Sequence, residues 1–402
     1  MNTDNRHIAQ AEKWGAENYH PLPIVLERGE GVWVFDDEGR KYMDMLSAYS
    51  ALNQGHRHPK IIEALVDQSS RITITSRAFH NDRMGEFLEK LCRIAGFERA
   101  LPMNTGSEAV ETALKAARKW AHQKRGIPED RGEIIVCTNN FHGRTISIVS
   151  FSSEHQYRSG FGPFTPGFRI IPYGDAQALR EAITPETIAF MVEPIQGEGG
   201  VIIPPEGYLK EVREITAENN VLLIFDEIQT GFGRTGRMFA FEHEAARPDI
   251  LALGKALGGG VYPVSAVLAD ADIMDVFKPG DHGSTFGGNP LAAAVGTAAL
   301  DVLVDEGLPE RSRELGAWFK EKLLKLESPY VKEIRGKGLF IGIEIKKECG
   351  PARPFCERLM ESGLLCKETH LQTIRLAPPL IIKKEELEWA LERIGGVLCP
   401  KS

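Results

Sequence analysis

Val221-Leu-Leu-Ile-Phe-Asp226 is a run of five apolar residues that ends in a carboxylate. A continuous apolar run of this length predicts a strand buried on both faces, as in a parallel sheet covered by helices. Similar strand candidates occupy 134–137, 169–173, 188–193, 251–253 and 265–269. Helical patterns, including 108–123 and 207–219, lie between several of them. We therefore expect an α/β domain with a large, mostly parallel sheet between two layers of helices.

The sequence pattern changes on either side of this region. The first forty or so residues predict a hairpin that turns at 37–39. After about residue 289 the expected elements are a long helical stretch to about 327, a strand at 339–345, a helix at 354–363, a short strand near 374–376 and a final helix from Lys384. We expect an N-terminal segment at 1–50, a large domain at 51–289 and a smaller α+β domain at 290–402, which the N-terminal segment completes.

Composition limits the class of protein. Of the 402 residues 42% are hydrophobic and 26% charged, which is typical of a globular protein, and the net charge of −8 disfavours a nucleic-acid partner. No apolar run approaches the ~20 residues of a membrane span, and the first residues lack the apolar core of a signal peptide. The six cysteines include no Cys-x-x-Cys pair. We expect a cytoplasmic protein without a nucleic-acid or membrane partner.

Three short motifs are better explained by structure than by ligands. Gly231-Phe-Gly-Arg-Thr-Gly236 fits the dinucleotide pattern G-x-G-x-x-G, but no helical pattern follows it, as that fold requires. Gly254-Lys255 lacks the earlier glycine and the Ser or Thr of a P-loop. His56-Arg-His58 precedes a proline and a helical pattern, so a turn is favoured over a metal site. We expect no bound metal.

Asn104-Thr-Gly-Ser-Glu-Ala109 is a candidate phosphate site. Thr105 and Glu108 have the spacing of a capping box at the start of a helix. Gly106 lets backbone N–H groups approach a phosphate, whose charge a helix N-terminus stabilises. A helix that is merely well capped would carry the same residues. The motif by itself therefore leaves both interpretations open.

Asp226 and Lys255 each follow a predicted buried strand. Taken singly, Asp226 is most simply a solvated acid at the sheet edge, and Lys255 a surface lysine. Ligands of open α/β sheets, however, bind where the carboxyl ends of strands meet. A strand-end acid, a lysine withdrawn from water and a phosphate-binding helix start are together what pyridoxal phosphate requires. They predict that Asp226 keeps the pyridine nitrogen protonated and that Lys255 binds the aldehyde.

Longer motifs carry a resemblance to a known family. The motifs of its wider subgroup are Glu193-Pro-Ile-Gln-Gly-Glu198, Phe225-Asp-Glu-Ile-Gln-Thr-Gly231 and Leu253-Gly-Lys-Ala256. The motifs of a narrower group are Asn18-Tyr-His-Pro-Leu-Pro23, Ser47-Ala-Tyr-Ser-Ala-Leu-Asn-Gln-Gly-His56, Pro279-Gly-Asp-His-Gly-Ser-Thr285 and Ile374-Arg-Leu-Ala-Pro-Pro379. Over essentially the whole chain, the sequence resembles the ornithine aminotransferases, which belong to the class-III, ω-amino subgroup of fold-type-I pyridoxal-phosphate enzymes.

The resemblance implies the fold-type-I architecture, the cofactor pyridoxal 5'-phosphate and a set of contacts to it. Lys255 would bind the cofactor covalently and would be, with Asp226, a catalytic residue. The other implied contacts are backbone N–H groups of Gly106 and Ser107 to the phosphate, Phe141 on the ring face, Gln229 at the ring hydroxyl, and Ser284 and Thr285 at the phosphate of the neighbouring subunit. The last pair implies an obligate homodimer with shared active sites. His142 departs from the pattern, since some relatives have a tryptophan there.

The resemblance also implies the substrates. Tyr19 and Arg144 would hold the α-amino-acid end of ornithine, and Tyr49 would favour its δ-amine. Arg375 would bind the second carboxylate of 2-oxoglutarate, and Glu198 would mask it while ornithine is bound. The expected reaction transfers the δ-amino group of ornithine to 2-oxoglutarate, giving glutamate 5-semialdehyde and glutamate.

Three alternatives stay open from the sequence. Acetylornithine or 4-aminobutyrate could be the amino donor, although relatives that use these compounds usually lack a tyrosine at the position of Tyr49. An aminomutase on the same scaffold would need no external keto acid. A non-enzymatic protein that binds the cofactor is disfavoured, because competent residues occupy every catalytic position.

Overall fold

The computed structural model describes residues 5–399. Its strands in chain order are β1 (Leu26–Glu30), β2 (Trp33–Asp36), β3 (Lys41–Asp44), β4 (Arg99–Met103), β5 (Glu133–Cys137), β6 (Phe168–Ile171), β7 (Thr187–Val192), β8 (Leu222–Asp226), β9 (Ile250–Leu253), β10 (Ser265–Ala269), β11 (Val331–Lys337), β12 (Phe340–Ile345), β13 (Leu364–Leu365), β14 (Lys367–Thr369) and β15 (Thr373–Leu376). They form one sheet of seven strands and two of four.

The helices connect and cover these strands. The α-helices are Arg6–Trp14, Pro59–Arg71, Met84–Ala95, Gly106–Arg125, Ile146–Ser150, His155–Arg158, Ala176–Ala182, Tyr208–Glu218, Ala271–Met274, Pro290–Asp305, Leu308–Leu324, Arg353–Glu361 and Lys384–Leu398. Short 3-10 turns occupy Ala240–His243, Lys255–Gly258 and Lys347–Cys349. A single turn at Ser47–Ser50 is left-handed. Within the described residues, no helix is long and apolar enough to cross a membrane.

The large sheet has the order β4-β10-β9-β8-β7-β5-β6. The five strands from β9 to β6 are parallel, whereas β10 runs antiparallel to both of its neighbours. This arrangement confirms the predicted mostly parallel sheet, and the predicted strands agree with the observed ones to within two residues at either end. The strand β4 was not predicted, because the short apolar stretch of Arg99-Ala-Leu-Pro-Met103 contains a proline, which disfavours a strand.

Both faces of this sheet are covered, as its apolar strands require. Successive residues of β8 alternate between two clusters, with Leu223 and Phe225 in one and Leu222 and Ile224 in the other. The helix Gly106–Arg125 contributes its alanine-rich face to the second cluster. The helices Tyr208–Glu218 and Pro290–Asp305 pack into the first cluster. Because both faces are sealed, polar groups can be grouped only at the ends of these strands.

The two smaller sheets join distant parts of the sequence. β13 pairs in parallel with β3, so a segment near residue 364 completes the N-terminal hairpin sheet. The order of the other sheet is β11-β12-β15-β14, and its neighbouring strands are antiparallel. The hairpin predicted at 37–39 is confirmed by the hydrogen bond from Gly39 N to Asp36 O at 3.0 Å. The three-part division of the chain at 50 and 289 stays a prediction.

The long helix predicted up to about 327 is wrong in one respect. It is two helices, Pro290–Asp305 and Leu308–Leu324, separated at Gly307. Gly307 adopts φ +59°, a left-handed conformation that ends the first helix and that glycine adopts at low cost. The sequence does carry a local signal for this break, since Gly307 and Pro309 mark a helix end and a helix start, and the prediction overlooked it.

Gly316 provides a test of the close packing between a helix and a hairpin. A Cβ atom at this position would lie 2.1 Å from the carbonyl carbon of Gly338, which is backbone and cannot rotate away. Gly316→Ala should therefore lower the free energy of unfolding by about 1–3 kcal/mol, although alanine favours a helix. Gly396 is the matched control, since it lies in the helix Lys384–Leu398 with open space around its Cβ position. Chemical denaturation of both alanine variants measures the free energy of unfolding. Equal losses in Gly316→Ala and Gly396→Ala would contradict the close packing at Gly316.

Candidate active site

A cavity of about 280 Å³ opens at the carboxyl ends of four neighbouring strands, β9, β8, β7 and β5. Chain segments that directly follow these strands supply most of its wall. Of the residues predicted for the site, the cavity is lined by Gly106, Ser107, Phe141, Arg144, Glu198, Asp226, Gln229 and Lys255. The structure therefore brings together residues that are up to 149 positions apart in the sequence.

Lys255 lies on the turn that follows β9 and adopts φ +45°, a conformation unusual for a residue with a side chain. Burial lowers the pKa of its amino group, while the nearby carboxylates of Glu198 and Asp226 partly oppose this effect. A lysine with a lowered pKa has a larger neutral fraction, which is the nucleophilic form. The position therefore suits covalent bonding to an aldehyde.

Asp226 ends β8 and is buried. Its Oδ2 atom accepts a hydrogen bond from His142 Nδ1 at 2.7 Å, and its Oδ1 atom accepts one from Ile228 N at 3.0 Å. Burial disfavours the charged imidazole of His142, but the hydrogen bond and the charge of Asp226 raise its pKa overall. The opposite ring nitrogen, His142 Nε2, has no partner among the described residues. The hydrogen bond from His142 thus orients the Asp226 carboxyl group at the cavity side of the sheet edge.

Sequence reasoning noted His142 only as a departure from relatives and missed its contact with Asp226. The two residues are 84 positions apart. His142 follows β5, Asp226 ends β8, and β7 lies between these strands in the sheet. The only available signal was that both residues follow predicted parallel strands, whose carboxyl ends share one edge.

Glu193 is a second residue to which the sequence assigned no role. It directly follows β7, is buried, and its Oε2 atom accepts a hydrogen bond from Phe141 N at 3.0 Å. Burial raises the pKa of Glu193 to about 8, an effect that His142 reduces and Asp226 strengthens. The neutral form of Glu193 is therefore favoured at neutral pH. Glu193 also fixes the backbone of the loop that carries Phe141 and His142.

The phosphate end of the cavity is the start of the helix Gly106–Arg125. Thr105 Oγ1 accepts from Glu108 N at 3.3 Å, and Glu108 Oε2 accepts from Thr105 N at 2.9 Å, which confirms the predicted capping box. The backbone N–H groups of Gly106 and Ser107 lie in the first turn, where a helix has no internal acceptors for them. A Cβ atom on Gly106 would approach Ile228 to 3.0 Å, so glycine allows this helix start to sit close to the cavity floor.

Glu198 lines the cavity and is paired with an arginine that lies behind it, outside the lining. Arg375 Nη1 donates to Glu198 Oε1 at 2.6 Å, and the arginine side chain is only 1% exposed. Burial raises the pKa of Glu198, but Arg375 lowers it more strongly, so the net shift is downward. The Arg375 guanidinium also lies 4.9 Å from the centre of the Tyr49 ring, and its Nε atom has no partner among residues 5–399. Gln229 Nε2 lies 3.4 Å from Glu198 Oε1.

The remaining predicted residues lie around or away from this cavity. Arg144 is exposed at its rim, with its guanidinium 3.6 Å from the centre of the Tyr157 ring. Tyr19 is 74% exposed and does not line the cavity. Ser284 Oγ accepts from Asn104 Nδ2 at 2.7 Å outside the cavity, and Thr285 is exposed. A single chain therefore does not bring Ser284 and Thr285 into its own cavity.

The residues present fit pyridoxal phosphate. Lys255 is on one wall, Asp226 with its histidine partner on another, and free helix N–H groups lie at a third. Gln229 Oε1 is a buried acceptor without a partner in the described part of the chain. This set offers an amine for the aldehyde, an anion for the ring nitrogen, donors for the phosphate and an acceptor for the ring hydroxyl.

Comparison with known proteins identifies the family. Residues 14–398 match the family model of the class-III aminotransferases. The chain belongs to this family. Its membership confirms the predicted fold-type-I class and the dependence on pyridoxal phosphate.

Individual relatives are similar over nearly their full length. The ornithine aminotransferase of Brevibacillus brevis is 64% identical over 398 residues, 99% of each chain, and that of Bacillus subtilis is 61% identical over 97% of each. Among solved structures, the ornithine aminotransferase of Toxoplasma gondii ME49 has a TM-score of 0.96 at 47% identity, covering 98% of this chain and 94% of that one. The acetylornithine aminotransferase of Elizabethkingia anophelis has a TM-score of 0.89 at 51% identity, covering 98% of both.

The raised pKa of Glu193 predicts a dependence of stability on pH. A carboxyl whose pKa is about 8 in the folded state and about 4.5 unfolded stabilises the fold below pH 4.5, and this contribution is lost as pH rises to 8. Glu193→Gln keeps an acceptor for Phe141 N but cannot ionise. Between pH 5 and 8 the variant should therefore lose less free energy of unfolding than the unmodified chain. Urea titrations at pH 5 and pH 8 measure the free energy of unfolding of both proteins. Equal losses in the variant and in the unmodified chain would contradict the raised pKa of Glu193.

Proposed function

We propose that this chain transfers the δ-amino group of L-ornithine to 2-oxoglutarate, giving glutamate 5-semialdehyde and glutamate. The observation that carries the proposal is the ion pair of the buried Arg375 with Glu198, a residue that lines the cavity of Lys255, together with the Tyr49 ring beside the arginine. Relatives named ornithine aminotransferase, 60–64% identical over nearly the full chain, support the same substrate.

Bound pyridoxal phosphate supplies an aldehyde that takes up the amino group and a protonated ring that withdraws electrons. Lys255 would hold the aldehyde of the cofactor through its amino group. With the substrate bound, Lys255 would remove a proton from the carbon that bears the substrate amine, a role for which a lowered pKa is suited. Asp226, oriented by His142, holds the proton on the ring nitrogen.

The other cofactor contacts are proposed from their places in the cavity. Backbone N–H groups of Gly106 and Ser107 bind the phosphate at the helix start. Phe141 packs on the ring, and Gln229 offers its unpartnered oxygen to the ring hydroxyl. These groups position the cofactor without taking part in proton transfer.

A homodimer with shared active sites completes the phosphate site. Ser284 and Thr285 lie outside the cavity of their own chain, and Thr285 is exposed, which supports a role at the cavity of a second copy. A cytoplasmic location is proposed as well, since all six cysteines are free, as is usual in a reducing compartment.

Substrate recognition depends on two arginines with different surroundings. Arg144 at the rim, together with Tyr19, binds the α-amino-acid end of ornithine, for which a planar guanidinium suits the carboxylate. Arg375 is neutralised by Glu198 and presents no net charge while the amine is bound. When 2-oxoglutarate enters, Glu198 turns away and Arg375 binds its second carboxylate. The exchange allows one cavity to accept a substrate with one carboxylate and then a substrate with two.

Acetylornithine is the second candidate for the amino donor. The similarity to the Elizabethkingia anophelis acetylornithine aminotransferase favours it, at 51% identity over 98% of both chains. Tyr49 beside Arg375 supports ornithine instead, because the family resemblance implies that relatives acting on acetylornithine usually lack a tyrosine at this position. Aldehyde formation from ornithine, acetylornithine and 4-aminobutyrate, measured side by side, decides between them.

The assignment of Lys255 can be tested by reduction of the loaded protein. Borohydride fixes the covalent bond between lysine and cofactor, so peptide mass spectrometry should find the label on Lys255. Lys255→Ala should lose the label and at least 10²-fold in turnover, because the group that moves the proton is gone. Lys278, which is not in the cavity, serves as the control, and Lys278→Ala should keep both the label on Lys255 and the turnover. A label on another residue would refute the assignment.

The role of the Arg375–Glu198 pair can be tested by removing the carboxylate. Glu198→Gln leaves Arg375 unneutralised during the first half-reaction, so amino donors with a second carboxylate should bind better. We expect kcat/KM for glutamate relative to ornithine to rise about tenfold, equal to about 1.4 kcal/mol of differential binding. Glu206→Gln, an exposed position outside the cavity, should not change the ratio. An unchanged ratio in Glu198→Gln would exclude the exchange.

A further inference from the structure

Four consecutive residues without a glycine form a left-handed turn. Ser47, Ala48, Tyr49 and Ser50 have φ values of +49°, +46°, +62° and +72°, and ψ is +50° at Ala48 and +40° at Tyr49. Residues with side chains visit this region singly and rarely in succession, because Cβ crowds the following carbonyl oxygen. Such a segment persists only where its surroundings hold it, and strained segments cluster at functional sites.

A buried carboxylate holds the start of this turn. Asp44 Oδ1 accepts hydrogen bonds from the backbone N–H groups of Leu46 and Ser47, both at 2.8 Å. Asp44 Oδ2 contacts His56 Nε2 at 2.8 Å. The backbone of His56 is itself fixed by two hydrogen bonds with Gly31, at 2.8 and 3.1 Å. The imidazole therefore fixes one oxygen of the carboxylate, and the other oxygen orients the first N–H groups of the turn.

The turn is also joined to the chain that carries Arg375. Ser47 Oγ donates to the carbonyl oxygen of Ala377, and Ala377 N donates to Met45 O at 2.7 Å. Ala377 follows β15, in which Arg375 lies. Two hydrogen bonds thus join the start of the turn to Ala377, which lies two residues after Arg375.

The turn fixes Tyr49 against two residues of the cavity. The Tyr49 ring lies 4.9 Å from the Arg375 guanidinium, and the Tyr49 carbonyl oxygen accepts from Gln229 Nε2 at 3.4 Å. The left-handed backbone determines the direction of the Tyr49 Cα–Cβ bond, and hence the place of the ring. A relaxed backbone at these residues would move the ring away from Arg375.

We propose that Asp44 and His56 are positioning residues for substrate choice, because their contact holds the strained turn that places the Tyr49 ring beside Arg375. This inference rests on the proposed function. Neither residue lines the cavity, and the observed side-chain hydrogen bonds of both are to each other and to backbone N–H groups at the turn. Loss of their contact should change which amine the enzyme prefers more than it changes the covalent binding of the cofactor.

The experiment compares kcat/KM for ornithine with kcat/KM for 4-aminobutyrate in the loaded enzyme. In Asp44→Ala we expect this ratio to fall about tenfold, while borohydride labelling of Lys255 stays complete. His56→Leu removes the support of the carboxylate and should lower the ratio less, and His56→Gln, which keeps a donor, should restore most of it. Asp36→Ala is the matched control, since Asp36 is equally buried and holds the hairpin turn through the N–H groups of Glu38 and Arg40, away from the cavity.

A double substitution separates positioning from general loosening. In a Tyr49→Ala enzyme the turn has no ring left to place, so adding Asp44→Ala should not lower the ratio further. Two outcomes would overturn the inference. In the first, Asp44→Ala and His56→Leu lose thermal stability as Asp36→Ala does but keep the ratio of kcat/KM for ornithine to kcat/KM for 4-aminobutyrate. In the second, Asp44→Ala lowers this ratio equally with and without Tyr49. If Asp44→Ala does not fold, the two His56 variants decide. Absence of aldehyde formation from ornithine in the unmodified enzyme would instead refute the proposed function.

Discussion

A sheet that is covered on both faces leaves its strand ends as the only place where polar groups can gather, and this constraint organises the molecule. β7, β8 and β9 are wholly buried and nearly devoid of polar side chains until their last residues. Glu193 directly follows β7, Asp226 ends β8, and Lys255 comes two residues after the end of β9. Burying such groups is costly unless each finds a partner or changes its protonation. Asp226 has His142, Glu193 favours its neutral form, and Lys255 has a lowered pKa.

The same cost explains why the cavity can be reactive. A free surface lysine would be protonated and a free surface aspartate would be hydrated. In the cavity burial lowers the pKa of the Lys255 amine, and the Asp226 carboxyl group is held by its hydrogen bond with His142. Removal from water therefore sets the protonation states that an aminotransferase needs.

Substrate choice depends on a different part of the chain. The Arg375–Glu198 pair lies where β15 meets the loop after β7, and Tyr49 reaches it from a left-handed turn near the N-terminus. A left-handed conformation costs roughly 1–2 kcal/mol per residue with a side chain. Hydrogen bonds from Asp44 and Ser47 offset part of this cost. Reaction chemistry and substrate choice are thus built on separate supports, a rigid sheet edge and a strained turn.

The sequence by itself determined six of the seven strands of the large sheet and the capped helix at Gly106–Arg125, and it marked Asp226 and Lys255 as candidates, because apolar runs, capping residues and strand-end charges are local signals. The prediction missed β4, where Pro102 disfavours a strand, and it overlooked the helix break that Gly307 and Pro309 signal. Only the tertiary structure decided that His142 meets Asp226, that Glu193 is buried, and that His56 contacts Asp44. These contacts join residues whose pairing depends on strand order and on the path of a turn, and neither is encoded by local spacing.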